Sequence, residues 1–306
     1  MEGNRFLAFP AEEITLTPLY ISEGVSPDAP VLPKARQVYG PVSFSQGNKD
    51  RPYVISSIVL SADGKMAFTD DPRGPVIAQA NAQDPSGALA DFWVLNMLRA
   101  YADGCIVGAG TLQAESDCIA SVMDQELFDQ RREVLGKKDH PLNIVVSLDG
   151  TDIPLSHVLF ASHLAGEVPA AVATGPAGAR FLQQQDVLPV EIMEAGERAV
   201  LTSDGAVPVI VTGKDEFPDA GELMVFLRSR GINVLLSESP GYTAHLAENR
   251  MLDEFFINYS LLLAGGTITP AMGVSFSPGR HPACRLMSLH RHTDRFLYTR
   301  LQVEYS

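Results

Sequence analysis

Apolar runs bounded by turn residues alternate with amphipathic stretches over most of this chain. PYVISSIVL (52–60) is a near-continuous apolar run, the pattern of a strand covered on both faces. GCIVG (104–108), NIVVSL (143–148), VPAAVAT (168–174), VPVIVT (207–212), INVLLSES (232–239) and DEFFINYSLLL (253–263) read as further strands. Leu89, Phe92, Leu95, Leu98 and Ala102 recur at steps of three and four, which predicts a helix over 86–101 with one core-facing stripe. Trp93 and Met97 on that helix read as core, and Arg99 as a solvated or helix-paired side chain. Further helices are expected over 122–135, over 222–231 with Gly231 as its stop, and over 246–252. The last segment, LYTRLQVEY (297–305), alternates cleanly, as an antiparallel edge strand with one wet face does.

Alternation of strand and helix predicts an α/β fold. It has a mostly parallel central sheet, helices on both faces and an antiparallel C-terminal edge strand. Two stretches depart from the pattern. Residues 1–50 carry Pro10, Pro18, Pro27, Pro30, Pro33 and Pro41 and read as a Pro-rich N-terminal arm, extended and with at most one short strand, ahead of a domain over 51–306. Residues 175–206 fit a helix, a strand and a turn-rich insertion.

Composition narrows the function classes. The 306 residues are 45% hydrophobic and 20% charged, enough for a packed core. A net charge of −14 argues against nucleic acid as a partner, while leaving room for a small anionic ligand held by local donors. Cys105, Cys118 and Cys284 have neither disulfide-framework nor zinc spacing, so a reducing cytoplasm is expected. His290 and His292 read as a surface pair, and no metal is expected. The start of the chain lacks a basic region followed by an apolar one, and no apolar run is long enough to span a membrane.

In parallel α/β sheets the ligand site lies at the carboxyl ends of the strands. Three loops qualify. SADGK (61–65) joins the turn pair Asp63-Gly64 to Lys65, a compact cation on a long stem. GAGTLQAE (108–115) offers Gly108 and Gly110 for close backbone approach and the Thr111 hydroxyl as a donor. SESPGYT (237–243) places the Glu238 carboxylate at the end of an apolar strand and leads into a helix. Each has a plain reading as a turn. Together they are better explained by one shared pocket.

At these motifs the sequence resembles a specific family. RPYVISSIVLSADGKMA, LRAYADGCIVGAGTLQAE and VLLSESPGYTAHLAENRMLDEFFINYSLLLAGG are similar to successive signatures of the reductase domain of the bacterial riboflavin-pathway deaminase–reductase, whose fold is dihydrofolate-reductase-like. The resemblance covers roughly residues 51–266. It implies a homodimeric, NADPH-dependent reductase that delivers hydride to a pyrimidine bearing a ribose. Lys65 and Glu238 would contact the substrate. Ser61, Asp63, Gly108, Gly110, Thr111, Glu115, Pro240, Gly241, Tyr242 and Thr243 would line the cofactor. The family's deaminase zinc motif is absent, and its substrate-phosphate arginine has no counterpart in 118–130, where Arg131 and Arg132 come later. A same-fold reductase of a pterin or other non-phosphorylated substrate, and a non-catalytic NADPH-binding module, are the alternatives.

Overall fold

The computed structural model of the protein describes residues 6–22, 30–194, 201, 205–214, 217–270 and 273–305. The chain starts with α1 (Ala11–Ile14), β1 (Thr17–Ile21) and α2 (Pro33–Val38). Alternating units follow: β2 (Tyr53–Ser61), α3 (Val76–Gln79), α4 (Pro85–Tyr101), β3 (Gly104–Gly108), α5 (Ala109–Ala114), α6 (Gln125–Glu133) and β4 (Leu142–Val146). Next come α7 (Val158–Leu164), β5 (Ala170–Thr174), α8 (Pro176–Gln183), β6 (Val190–Glu194) and β7 (Val207–Val211). The last elements are α9 (Ala220–Ser229), β8 (Val234–Ser237), α10 (Pro240–Glu248), β9 (Glu254–Ser260), β10 (Ala283–Arg291) and β11 (Phe296–Glu304).

All strands of the described residues form one sheet, in the order β1-β10-β11-β9-β2-β8-β3-β4-β5-β7-β6. From β9 to β6 every neighbouring pair is parallel, and β11, β10 and β1 extend that sheet antiparallel at one edge. This is the expected mostly parallel α/β sheet with antiparallel strands at one edge, but β11 lies inside that edge, paired on both sides, and the outermost strand is β1 of the Pro-rich segment. One core, under α4, includes Ile55, Trp93, Met97, Val107 and Leu236; the other, under α9 and α10, includes Val54, Ile106, Phe226, Leu235 and Leu246. Successive residues of a strand point to opposite faces, so the unbroken apolar runs supply both cores at once.

Helix α4 is placed by specific contacts. The Asp84 carboxylate accepts from the Gly87 amide and Pro85 opens the first turn. A Cβ on Gly87 would collide with the Phe296 ring, so the glycine lets the helix lie on β11, and the Tyr298 hydroxyl donates to the Gly87 carbonyl. The expected stripe is only part of its buried surface. Leu98 and Ala102 are fully buried, but Leu89, Phe92 and Leu95 are half-buried, whereas Ala90, Trp93, Val94 and Met97 are wholly enclosed. The reason is a second cover. Leu32, Ala35, Val38, Tyr39, Val42 and Phe44 of the Pro-rich segment pack into the α4 core, and Tyr101 Oη joins the Leu32 amide to the Val42 carbonyl.

Other expectations shift in register. The helix expected over 122–135 starts at Gln125, because Asp124 caps it. That expected over 246–252 is α10, which begins six residues earlier at Pro240 and ends at Glu248. Gly231 does stop α9, just past Arg230 and with φ +83°. In 175–206 the helix and strand are α8 and β6; the turn-rich remainder falls largely on residues outside those described. His290 and His292 are no surface pair. His290 lies inside β10, 1% exposed under the Tyr39 ring, and His292 follows the strand and bonds to the Thr15 carbonyl and the Ser86 hydroxyl. Among the described residues no group of side chains could hold a metal, and no helix is long and apolar enough to cross a membrane.

Candidate active site

The three loops leave the carboxyl ends of β2, β8 and β3, which are successive neighbours in the sheet. Their ends are staggered. Ser237 of β8 pairs with Ser56, and β2 then runs on to Ser61 beside β9 alone. Five residues of extended chain span about 16 Å. One edge of β2 is therefore unpaired beyond Ser56. The result is a step in the sheet, with the Lys65 loop on the upper lip and the Glu238 loop on the lower.

On the upper lip the protein uses two of the predicted residues itself. Ser61 Oγ donates to Asp63 Oδ1 at 2.6 Å, and Asp63 accepts from the Ala264 and Gly265 amides at 3.0 and 2.8 Å. These bonds, the Ser61 hydroxyl first, push the Asp63 carboxyl down to about 2. Gly64, at φ +75°, closes the turn, and the Lys65 amide donates to Ser61 Oγ. The Lys65 ammonium, half-buried, makes no hydrogen bond or ion pair among the described residues.

On the lower lip Glu238 meets Arg99. Arg99 Nε and Nη2 reach the two carboxylate oxygens at 2.7 and 2.6 Å, a bidentate pair whose side chains are 5% and 10% exposed. Arg99 is thus neither solvated nor paired along its own helix, and the carboxylate holds its pKa up despite the burial. Glu115 stands in the same charge cluster. Burial raises its pKa and the charges of Glu238 and Asp117 push the same way, against the Gly74 amide that donates to it. Burial also raises the Cys105 and Cys118 thiols, Cys118 to about 12, so neither is a ready nucleophile.

The GAGT segment is helical from Ala109 onward rather than a loop. Gly108 is pressed against the next loop, since a Cβ there would stand 2.7 Å from Ser239 Oγ. Apart from chain neighbours and the backbone of their own helices, no atom of the described residues lies within 4 Å of where a Cβ on Gly110 or Gly241 would sit, so both face open space. Thr111 is half-buried with no hydrogen bond from its hydroxyl among the described residues. Pro240 is the first residue of α10. Thr243 is taken up by a hydroxyl network with Ser56 and Ser237, and Tyr242 packs into the core under α10.

One polar pair of the cleft was not singled out in the sequence. Asn258 Nδ2 donates to Asp91 Oδ1 at 2.7 Å, and Asn258 pairs in register with Val59, on the stretch of β2 that has lost β8 as neighbour. Asp91 therefore lies over β9 at the level of Val59, about 12 Å along α4 from Arg99. Asn258 Oδ1 is buried with no hydrogen-bond partner among the described residues. Two signals were present: an Asp within an apolar helix, and an Asn at an inward position of the alternating strand EFFINYS. Burial raises the Asp91 carboxyl to about 6, and the Asn258 bond only partly offsets it. The folded state then keeps a proton that the unfolded chain releases above about pH 4. Stability should fall as pH rises from about 4 to about 6 and stay lowered above that window. Asp91→Asn removes this cost and is expected to gain roughly 2 kcal/mol at pH 7, after allowance for partial exposure. Urea denaturation of both proteins at pH 4 and pH 7 checks it; an equal or lower stability of the variant at pH 7 contradicts it.

Comparison with solved structures agrees with this architecture. A pyrimidine reductase-like protein from Corynebacterium diphtheriae superposes with a TM-score of 0.63, at 18% identity, over 89% of this chain and 98% of that one. The fold is that of the pyrimidine reductases. Two further structures share it. The diaminohydroxyphosphoribosylaminopyrimidine deaminase/5-amino-6-(5-phosphoribosylamino)uracil reductase of Thermotoga maritima matches with a TM-score of 0.54 at 15% identity, over 83% of this chain and 57% of its own. The Saccharomyces cerevisiae riboflavin biosynthesis reductase matches at 0.51 and 13%, over 84% and 91%. No protein-family model and no curated protein sequence matches the chain.

Proposed function

We propose that this pyrimidine-reductase fold is a working reductase that uses NADPH to reduce a small pyrimidine-type substrate in the step between β2 and β8. The observation that carries this reading is the order β2-β8-β3, which gathers the three signature loops onto neighbouring strand ends. The residues fit a nicotinamide dinucleotide. Gly110 and Gly241 leave open space, Thr111 offers a free hydroxyl, and α10 points its N-terminal amides at the same edge. When bound, the cofactor supplies the hydride. The chain's own groups do the rest. Lys65 donates to the acceptor atom on which negative charge develops, from a turn held rigid by Ser61, Asp63, Ala264 and Gly265. Glu238 is aimed by Arg99 through the bidentate pair, ready to accept from a substrate N–H or O–H. Glu115 accepts from a ribose hydroxyl.

A phosphate-free substrate is the second reading, and one observation favours it. The arginines that follow the GAGT segment do not serve the cleft, because Arg131 is clamped to the far end of α4 and Arg132 pairs with Asp139. The deciding experiment titrates the protein with NADPH and NADH, then follows cofactor oxidation with ribosylaminopyrimidines, with and without the phosphate, and with pterins. Saturable NADPH binding and turnover of one substrate class are expected. Binding without turnover of any of them makes the protein a nucleotide-binding module, and no binding at about 1 mM ends the reading. The same preparation, sized by sedimentation, tests the accompanying proposal of a homodimer.

A further inference from the structure

At the opposite edge of the sheet, the amino ends of β8, β3, β4 and β5 surround a cavity of about 350 Å³. That volume is within the range of small-molecule sites. Among the described residues its walls carry Arg131, Lys137 and Lys138 beside the Asp103 carboxylate, in a chain whose net charge is −14. Leu135, Leu142, Pro169 and Ile232 add an apolar flank. Cations near helix C-termini are ordinary, and part of this set is used that way. Arg131 Nη1 donates to the carbonyls of Arg99, Ala100 and Ala102 at the end of α4, and its Nε donates to the Lys138 carbonyl. Lys137 pairs with Asp103 at 2.5 Å.

A surplus remains after these contacts. Arg131 is 1% exposed, yet among the described residues its Nη2 makes no hydrogen bond and its guanidinium no ion pair. Lys138 likewise carries no side-chain partner among them. Burial draws the Arg131 pKa down to about 10, against the opposing pull of Asp103 and Asp139. His140, in the same wall, is held neutral, its pKa lowered to about 4 by burial and by Arg131.

We propose that this cavity is a second ligand site, separate from the cleft at the carboxyl edge, and that it binds a small phosphate-bearing molecule. The buried Arg131 Nη2 takes the oxyanion and Lys138 closes over it at the rim. A phosphate suits the site because two hydrogens on Nη2 and a lysine ammonium converge on one multivalent group, and a guanidinium is the least costly cation to desolvate. The site does not depend on the reductase reading.

The test uses inorganic phosphate and a nucleoside monophosphate as probes, measured by calorimetry on the whole protein against chloride at matched ionic strength. Saturable binding of either probe is expected, and the arms separate free phosphate from a phosphate ester, which also occupies the apolar flank. Lys138→Glu, at an exposed position, should weaken that binding at least about tenfold while leaving the melting temperature unchanged. Arg131→Met should abolish it; because that residue also ties down α4, the Lys138 variant carries the test if the arginine variant does not fold. Lys65→Ala, at the other edge, should bind the probes as the parent does. The proposal is overturned by three results: no saturation at about 10 mM, an unchanged affinity in Lys138→Glu, or loss of binding in Lys65→Ala.

Discussion

Arg99→Met is expected to destabilise the protein by about 3–5 kcal/mol, because it strands the Glu238 carboxylate in a site almost closed to water. In a chain of this size that is a fall in melting temperature on the order of 10 °C. The cost is not the Coulomb energy of the pair. It is the desolvation of the charge left behind, which in the parent is answered by two hydrogen bonds at 2.7 and 2.6 Å. The double variant Arg99→Met, Glu238→Gln removes both charges and should recover a large part of the loss. Thermal unfolding of the parent, the single and the double variant measures this. Equal melting temperatures in the single and double variants would show that the pair contributes packing rather than compensated charge. The pair ties α4 to the cleft, since Arg99 comes from α4 and Glu238 directly follows β8.

Lys65→Ala is expected to act in the opposite way, on turnover and not on stability. Removing a donor aimed at developing negative charge costs about 10²–10³ in kcat. The Lys65 ammonium holds nothing else among the described residues, and the turn that carries it is closed by backbone and by Ser61 and Asp63. The melting temperature and the affinity for NADPH should therefore stay close to those of the parent. A drop in kcat with KM and cofactor affinity unchanged identifies a contact made in the transition state. Equal losses of cofactor binding and turnover would assign Lys65 to the binding of the dinucleotide.

The two variants mark different kinds of residue within one cleft. Lys65 is an open side chain on a rigid turn, and Arg99 is a closed side chain that fixes another. Asp91 is a third kind, a carboxyl buried enough to hold its proton near pH 6 and bonded only to a neutral amide.

Local order was legible in the chain. Strands β2, β3, β4, β5, β7, β8 and β9 follow from apolar runs, β11 from its alternation, and α9 from its apolar face and its stopping glycine. The helix α10 was misplaced because Pro240 and Gly241 look like a turn, yet a proline fits the first turn of a helix and the chain used it there. Strand β10 escaped because ACRLMSLHR carries too few apolar positions to stand out, and it is held by pairing with β1 and β11. The Pro-rich segment read as an arm because its apolar residues are spaced by prolines. What they cover, the outer side of α4, is far away in sequence.

By itself the sequence determined the alternation of elements, the parallel core of the sheet, and three loops with the residue types a ligand needs. These follow from periodicity and turn chemistry, which act over a few residues at a time. Only the tertiary structure decided that β8 ends five residues short of β2, opening a step, and that Asp91 of α4 meets Asn258 of β9. It also decided that Arg99 belongs to Glu238, and that Arg131 faces a cavity at the other edge with donors to spare. Each of those depends on which strands become neighbours. Burial, and with it the cost of every unpaired charge, is fixed by that choice and not by any local run of residues.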